Sequence, residues 1–306
     1  MLKIQFLNGG LANQAFQYIF ARHFELSNPG EIMYMDDSYF ALNTVHNGYE
    51  LEKVFGIKPH MLSEAFDADV WEYMLEQKKQ GISIPQIFKE SGTDINMVAE
   101  YLNYEKFNPF DGKVYMVGAA KYNPAIQNFE DNIYYHGYWL NKGWFEKYRT
   151  QFLKEFRFPP LTDEYNRSLM FRIQNETSTA MHIRRGDFVD INWAYDAKKY
   201  KEMTQMYLDH YGGETTLFVF SDDIAWCKEN SEEMMLDKFK ECVFVEGNIS
   251  GKNYIDLQLM SNCKYMMIGN SSFGSLAFLL NRGFLGGILL QTEESKLTES
   301  IFEKMT

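Results

Sequence analysis

Apolar and polar positions alternate from the start of the chain: Leu2, Ile4 and Phe6 are separated by Lys3 and Gln5, the period of a strand. The loop Asn8-Gly9-Gly10-Leu11-Ala12-Asn13-Gln14 follows, and then Phe16, Ile19, Phe20 and Phe24 recur at helical spacing. Strand, glycine loop and helix in this order make half of a nucleotide-binding unit, although the GxGxxG spacing is missing. Ile32–Met35 predicts a short strand, and Asp36-Asp37 after it reads as a solvated turn. Residues 60–110 read as largely helical and aromatic, broken at Gly81, Pro85, Gly92 and Pro109. Tyr134–Trp139 predicts another strand, followed by a helix from about Lys142 to Phe156.

The second half is more regular. Strands at 179–183, 217–220, 243–245, 264–268 and 286–290 alternate with helices at about 195–211, 223–240, 253–262 and 273–282. Strands that are apolar without alternation point to a parallel sheet covered on both faces. Pro159-Pro160 is the clearest punctuation in the chain, and 306 residues suit two domains, so the division expected is 1–158 and 159–306.

Composition narrows the function. Hydrophobic content of 45% and charged content of 24% are ordinary for a globular protein, while a net charge of −12 argues against a nucleic-acid partner. Cys227, Cys242 and Cys263 are widely spaced, without a CxxC, so neither a disulfide scaffold nor a zinc site is indicated. The start MLKIQFLNGG reads as a folded strand and not as a signal peptide, and no apolar run approaches a membrane span. The expected compartment is the cytoplasm, with peripheral association at the inner membrane face as a variant.

The chemistry gathers in loops after predicted strands, where ligands of parallel sheets bind. His182-Ile183-Arg184-Arg185-Gly186-Asp187-Phe188 places two arginines, a glycine and an aspartate at a strand end. Arginine presents fixed donors and stays charged, so the pair can clamp phosphate oxygens; a surface loop paired with nearby acids is the structural alternative. Asn270, Ser271, Ser272 and Phe273 open a helix, where free N–H groups either take a cap or hold a phosphate. Asp222 and Asp223 either cap a helix or accept donors from a guanine edge or ribose hydroxyls. Paired acids also suggest a divalent metal, but their spacing is not D-x-D and no histidine joins them, so no metal is expected. His182 reads as a strand histidine satisfied by local hydrogen bonds, with nucleotide contact as its other role.

Together these blocks resemble the alpha-1,2-fucosyltransferases, particularly the bacterial members. HIRRGDF matches the family's H-x-R-R-G-D-[FY] block, GGLANQAFQYIFARHF is similar to its G-G-L-G-N-Q-M-F-Q-Y block, and GYWLNKGWFEKYRTQFLKEF is similar to G-Y-W-Q-S-x-x-Y-F. FSDDIAWCKEN, DLQLMSNCKYMMIGNSSF and a terminal helix complete the ordered set, which is weakest across 60–130. One block departs: the family continues N-S-[ST]-F-S-W-W-[GA]-A-[WY]-L where this chain has Asn-Ser-Ser-Phe-Gly-Ser-Leu-Ala-Phe-Leu-Leu. Ala12 and Ala15 also replace the usual Gly and Met.

The resemblance implies an α/β architecture of two Rossmann-like domains facing a cleft, the GT-B class, with an acceptor-side first domain and a donor-binding second one. It implies inverting, metal-independent transfer of L-fucose from GDP-fucose to the 2-hydroxyl of a galactose-like residue in an oligosaccharide acceptor, with no cofactor. Arg185 is expected at the pyrophosphate, Arg184 as an internal anchor, and Asn13 at the same phosphate. Sugar transfer places growing negative charge on the leaving phosphate, and losing one such contact would cost about 2–4 kcal/mol at the transition state. Asp187 is the candidate general base, although an arginine-paired carboxylate is a weak one. Competing readings are transfer of another sugar or linkage, including alpha-1,6 or O-linked fucose, and a nucleotide-sugar-binding protein without turnover. A phosphohydrolase is disfavoured, because there is no metal cluster and no nucleophile elbow. The acceptor's identity and the oligomeric state are not written in the sequence.

Overall fold

The computed structural model describes residues 1–43, 47–100, 110–249 and 251–289, which divide into two compact units, the second beginning at Phe158. The first unit opens with β1 (Lys3–Phe6), α1 (Leu11–Ser27), β2 (Tyr34–Asp36), α2 (Ser38–Leu42), α3 (Leu51–Phe55), α4 (Ala68–Lys79) and α5 (Ile84–Glu90). It continues with β3 (Asn96–Glu100), β4 (Val114–Val117), β5 (Ile133–His136), α6 (Lys142–Glu146) and α7 (Arg149–Glu155). Its strands pair in parallel in the order β2-β1-β5-β3-β4. One face packs Ile4, Phe6, Met97 and Tyr134 against α4 and α5, with Leu62 in the same core. Phe20 of α1 stacks on Trp139, with ring centroids 4.3 Å apart, and meets Trp144 edge-on at 4.9 Å.

The second unit runs α8 (Glu164–Asn175), β6 (Ser178–Ile183), α9 (Gly186–Asp190), α10 (Ala197–Tyr211), β7 (Thr216–Ser221), α11 (Ile224–Glu229), β8 (Glu241–Phe244), α12 (Asn253–Met260), β9 (Tyr265–Ile268), α13 (Ser272–Leu280) and β10 (Gly286–Leu289). Its sheet is parallel throughout, in the order β10-β9-β6-β7-β8. Wholly buried β6 sits in the middle of the sheet, with Met181 and Ile183 in one core with Tyr200 and Met203 of α10 and His182 against Phe273 of α13. From β6 the chain winds outward first through β7 and β8, then through β9 and β10. The strand order therefore reverses between β6 and β9, the place where open parallel sheets leave a crevice beyond their carboxyl ends. Each unit is α/β with one parallel sheet, as the pattern predicts for the second half and the resemblance implies for the first.

Several expectations for the first unit need correction. The segment read as helical contains the strand β3, which lies between β5 and β4 and buries Met97, Val98 and Ala99 completely. The second strand is Tyr34–Asp36, displaced from Ile32–Met35, because its register pairs Ile4 with Tyr34 and Phe6 with Asp36. Asp36 is not solvated: it is fully buried, accepts the Tyr134 hydroxyl at 2.5 Å and the Ser38 N–H at 3.0 Å. The helix predicted over 142–156 breaks into α6 and α7 at Lys147–Tyr148, and that predicted over 223–240 ends at Glu229. α9 was not foreseen. The terminal helix falls outside the described residues.

Candidate active site

The carboxyl ends of β6, β7 and β9 bring together three loops picked out by the sequence. Adjacent strands lie about 4.8 Å apart, so these loops are neighbours by construction. Arg184 leaves β6 with both ends of its guanidinium engaged, donating to Asp187 Oδ1 at 2.6 Å and pairing with Asp222 Oδ2 at 2.7 Å. It also lies over the Phe188 ring, 5.6 Å from the centroid. Asp222 accepts in addition the Arg185 backbone N–H at 2.8 Å. That carboxylate explains Gly186: a Cβ there would sit 2.6 Å from Asp222 Oδ2.

Arg185 is held differently. Its guanidinium lies face-on over Trp226 at 3.8 Å, and its Nε donates to Asp223 Oδ2 at 3.2 Å. Its two terminal nitrogens have no partner among the described residues, and the side chain keeps 16% of its surface exposed. Asp223 also caps α11, accepting the Trp226 N–H at 3.1 Å. One carboxylate thus fixes both the ring beneath Arg185 and the Nε beside it. Stacking on the indole and the bond to Asp223 orient the remaining donors, which leaves the guanidinium arranged for an anion.

On the other side of β6, Ser271 caps α13, its Oγ accepting the Phe273 N–H at 3.3 Å. Ser272 and Phe273 begin the helix, half-exposed, and the helix dipole puts partial positive charge there. Asn270 reaches away from the helix and donates to the Trp193 carbonyl at 2.9 Å. The expected satisfaction of His182 by local hydrogen bonds is not found: its buried Nδ1 has no partner. The ring instead packs on Phe273, with centroids 5.4 Å apart. Burial and the Arg184 charge push its pKa down to about 3, so the ring is neutral. Gly274, in the block that departs from the family pattern, allows this packing, since a Cβ there would meet Ile268 Cγ2 at 2.7 Å and His182 Nδ1 at 3.3 Å.

Asn13 belongs to the first unit, in the opening turn of α1, where its side chain folds over Gly9. Two buried glutamines stabilise that glycine loop: Gln14 donates to the carbonyls of Gly9 and Gly48, both at 2.9 Å, and Gln17 exchanges bonds of 2.6 and 3.0 Å with Asn8. Sequence reasoning missed these glutamines, and it missed the roles of Trp226, Phe188 and Trp193. The signal for Trp226 was present, since a cap at Asp223 places the residue three positions on beside the cap's own loop. Among the described residues, no group of three or more His, Cys, Asp or Glu is placed to hold a metal ion, and no helix is long and apolar enough to cross a membrane.

Comparison with known proteins bears on the family of the chain as a whole. The chain is 27% identical over 273 residues to an alpha-1,2-colitosyltransferase of Escherichia coli, covering 87% of this chain and 83% of that protein. It is 24% identical over 290 residues to the O-antigen biosynthesis glycosyltransferase WbnK of Escherichia coli, covering 90% and 89%. The fucosyltransferase NodZ from Bradyrhizobium aligns over 92% of each chain at 12% identity and a TM-score of 0.48, a likeness too distant to bear on the chemistry. The glycosyl transferase family 11 pattern, by contrast, matches residues 5–303, a span that takes in both sheets and every loop of the arginine site; the chain belongs to that family.

Proposed function

We propose that the protein transfers L-fucose from GDP-fucose, with inversion and without a metal, to the 2-hydroxyl of a galactose-like residue in a glycan. The observation that carries this reading is Arg185, whose guanidinium is stacked and tethered while its terminal donors stay without a partner among the described residues, at the carboxyl end of the second sheet. As the bond from the anomeric carbon to the β-phosphate oxygen breaks, negative charge grows on that oxygen and positive charge on the sugar ring. Arg185 stabilises the departing diphosphate, and the free N–H groups at the start of α13 add to the positive potential. The acceptor oxygen attacks the anomeric carbon from the opposite face and gives up its proton.

Asp187 is the base this reading offers, because it is exposed and stands two residues after Arg185. Its Oδ1 is held by Arg184 at 2.6 Å, which also orients the carboxylate. Arg184, occupied by two acids, keeps the loop in shape, and Asp222 and Asp223 position the arginines. His182, neutral and packed on Phe273, contributes to the floor under the donor.

A second reading has colitose as the transferred sugar, favoured by the relative named for that activity. Purified protein with GDP-fucose or GDP-colitose, a panel of galactosides and EDTA separates the two. Acceptor-dependent GDP release from GDP-fucose, with the product linked at the 2-hydroxyl, is the expected result. Release from GDP-colitose alone would replace the donor, and failure to bind GDP-fucose would overturn the proposal.

A further inference from the structure

The arginine loop carries an indole that the phosphate site does not use. Trp193 is 56% exposed, and Val189 and Ile191 nearby are 49% and 52% exposed. The turn that presents this ring is nonetheless closely specified. The N–H groups of Trp193 and Ala194 donate to the Phe188 carbonyl at 2.8 and 3.1 Å, and the Asn192 N–H donates to the Val189 carbonyl at 3.2 Å. Asn192 takes the left-handed conformation, with φ of 58°, which asparagine tolerates better than most residues. Asn270, from the loop after β9, holds the Trp193 carbonyl at 2.9 Å. Phe188 joins the indole to the site: its ring meets Trp193 edge-on at 5.8 Å and lies under the Arg184 guanidinium at 5.6 Å. An exposed aromatic face held by the arginine loop suits a ligand that arrives from solvent during turnover.

Charge indicates what that ligand is. Residues 186–196 contain Asp187, Asp190 and Asp196, all exposed, and no lysine or arginine. Asp187 is paired with Arg184 and Asp196 caps α10 by accepting the Lys199 N–H at 2.8 Å, so Asp190 is the carboxylate left to accept hydrogen bonds from sugar hydroxyls beside the ring. One face of a galactose-like ring is a patch of C–H groups that packs on an indole, with hydroxyls at its edge for that carboxylate.

Resting on the transferase reading above, we propose that Trp193 is the stacking platform for the neutral acceptor sugar, and so a residue that determines acceptor specificity. Binding of β-galactosides to GDP-saturated wild type, Trp193→Ala and Trp193→Phe, followed by saturation-transfer NMR, tests it without requiring turnover. Trp193→Ala is expected to weaken galactoside binding about tenfold and Trp193→Phe less, with GDP-fucose affinity and Tm unchanged. During turnover the same change should raise the acceptor KM and leave kcat in place. Equal galactoside binding by the alanine variant would overturn the proposal. So would a parallel loss of GDP-fucose affinity, which would place the indole under the donor. A wild-type protein that binds GDP-fucose but no galactoside also overturns it and leaves the donor assignment standing. Galactoside binding without GDP-fucose binding would sink the donor assignment while the Trp193 comparison stayed readable.

Discussion

Both sheets end in carboxylates, and the two ends treat them in opposite ways. In the first unit Glu100, at the end of β3, is almost wholly buried and, among the described residues, accepts only backbone N–H groups: Ala120 at 3.0 Å, Tyr138 at 2.7 Å and Trp139 at 3.1 Å. Burial pushes its carboxyl above the usual carboxylate range, while those three bonds pull it back down. The result is a fixed turn that holds Trp139 in a left-handed conformation, with φ of 56°. In the second unit Asp187, Asp222 and Asp223 accept from arginine side chains, near solvent, and one of those arginines keeps donors to spare. A carboxylate satisfied by backbone organises a fold, whereas carboxylates that aim cations at open space organise a site.

The comparison breaks most visibly at Arg185. Arg185→Ala should lower kcat/KM by about 10²–10³ with Tm nearly unchanged, because the lost donors act on charge formed in the transition state. Steady-state assays beside a melting curve separate those two quantities. Glu100→Ala should do the reverse. Three buried N–H groups lose their acceptor, so urea unfolding should show a loss of about 3 kcal/mol, while turnover per folded molecule stays the same. A stable but inactive Glu100→Ala would move that carboxylate from the fold to the site.

Smaller changes sharpen the contrast within the arginine loop. Gly186→Ala drives a methyl group against Asp222, which is pinned by Arg184 and by the Arg185 backbone, and should cost about 1–3 kcal/mol of stability along with activity. Trp226→Leu removes the surface under Arg185 without touching its charge. A rise in donor KM corresponding to about 1 kcal/mol is expected, with acceptor KM unchanged.

The second sheet was legible because its buried central strands β6, β7 and β9 read as largely apolar runs between helices. The first was less so. Asn96–Glu100 has the length and apolarity of either element, and only its place between β5 and β4 makes it a strand. Val114–Val117, at the sheet edge, buries no residue fully and leaves little periodic signal. Asp36 looked solvated because nothing local announces that Tyr134, nearly a hundred residues on, supplies its partner. At the site the residue types were readable and their pairings were not. The family resemblance set Arg184 apart as an anchor and Arg185 as a phosphate contact, but the physical difference appears only in the contacts: Asp187 and Asp222 occupy one, and Trp226 supports the other.

The most direct test of that difference is titration of GDP and of guanosine into wild type and Arg185→Ala. If Arg185 holds the diphosphate, the variant should bind GDP at least about tenfold more weakly and guanosine as before. GDP affinity that survives the substitution, or guanosine affinity that falls with it, would contradict the assignment of Arg185 to the diphosphate.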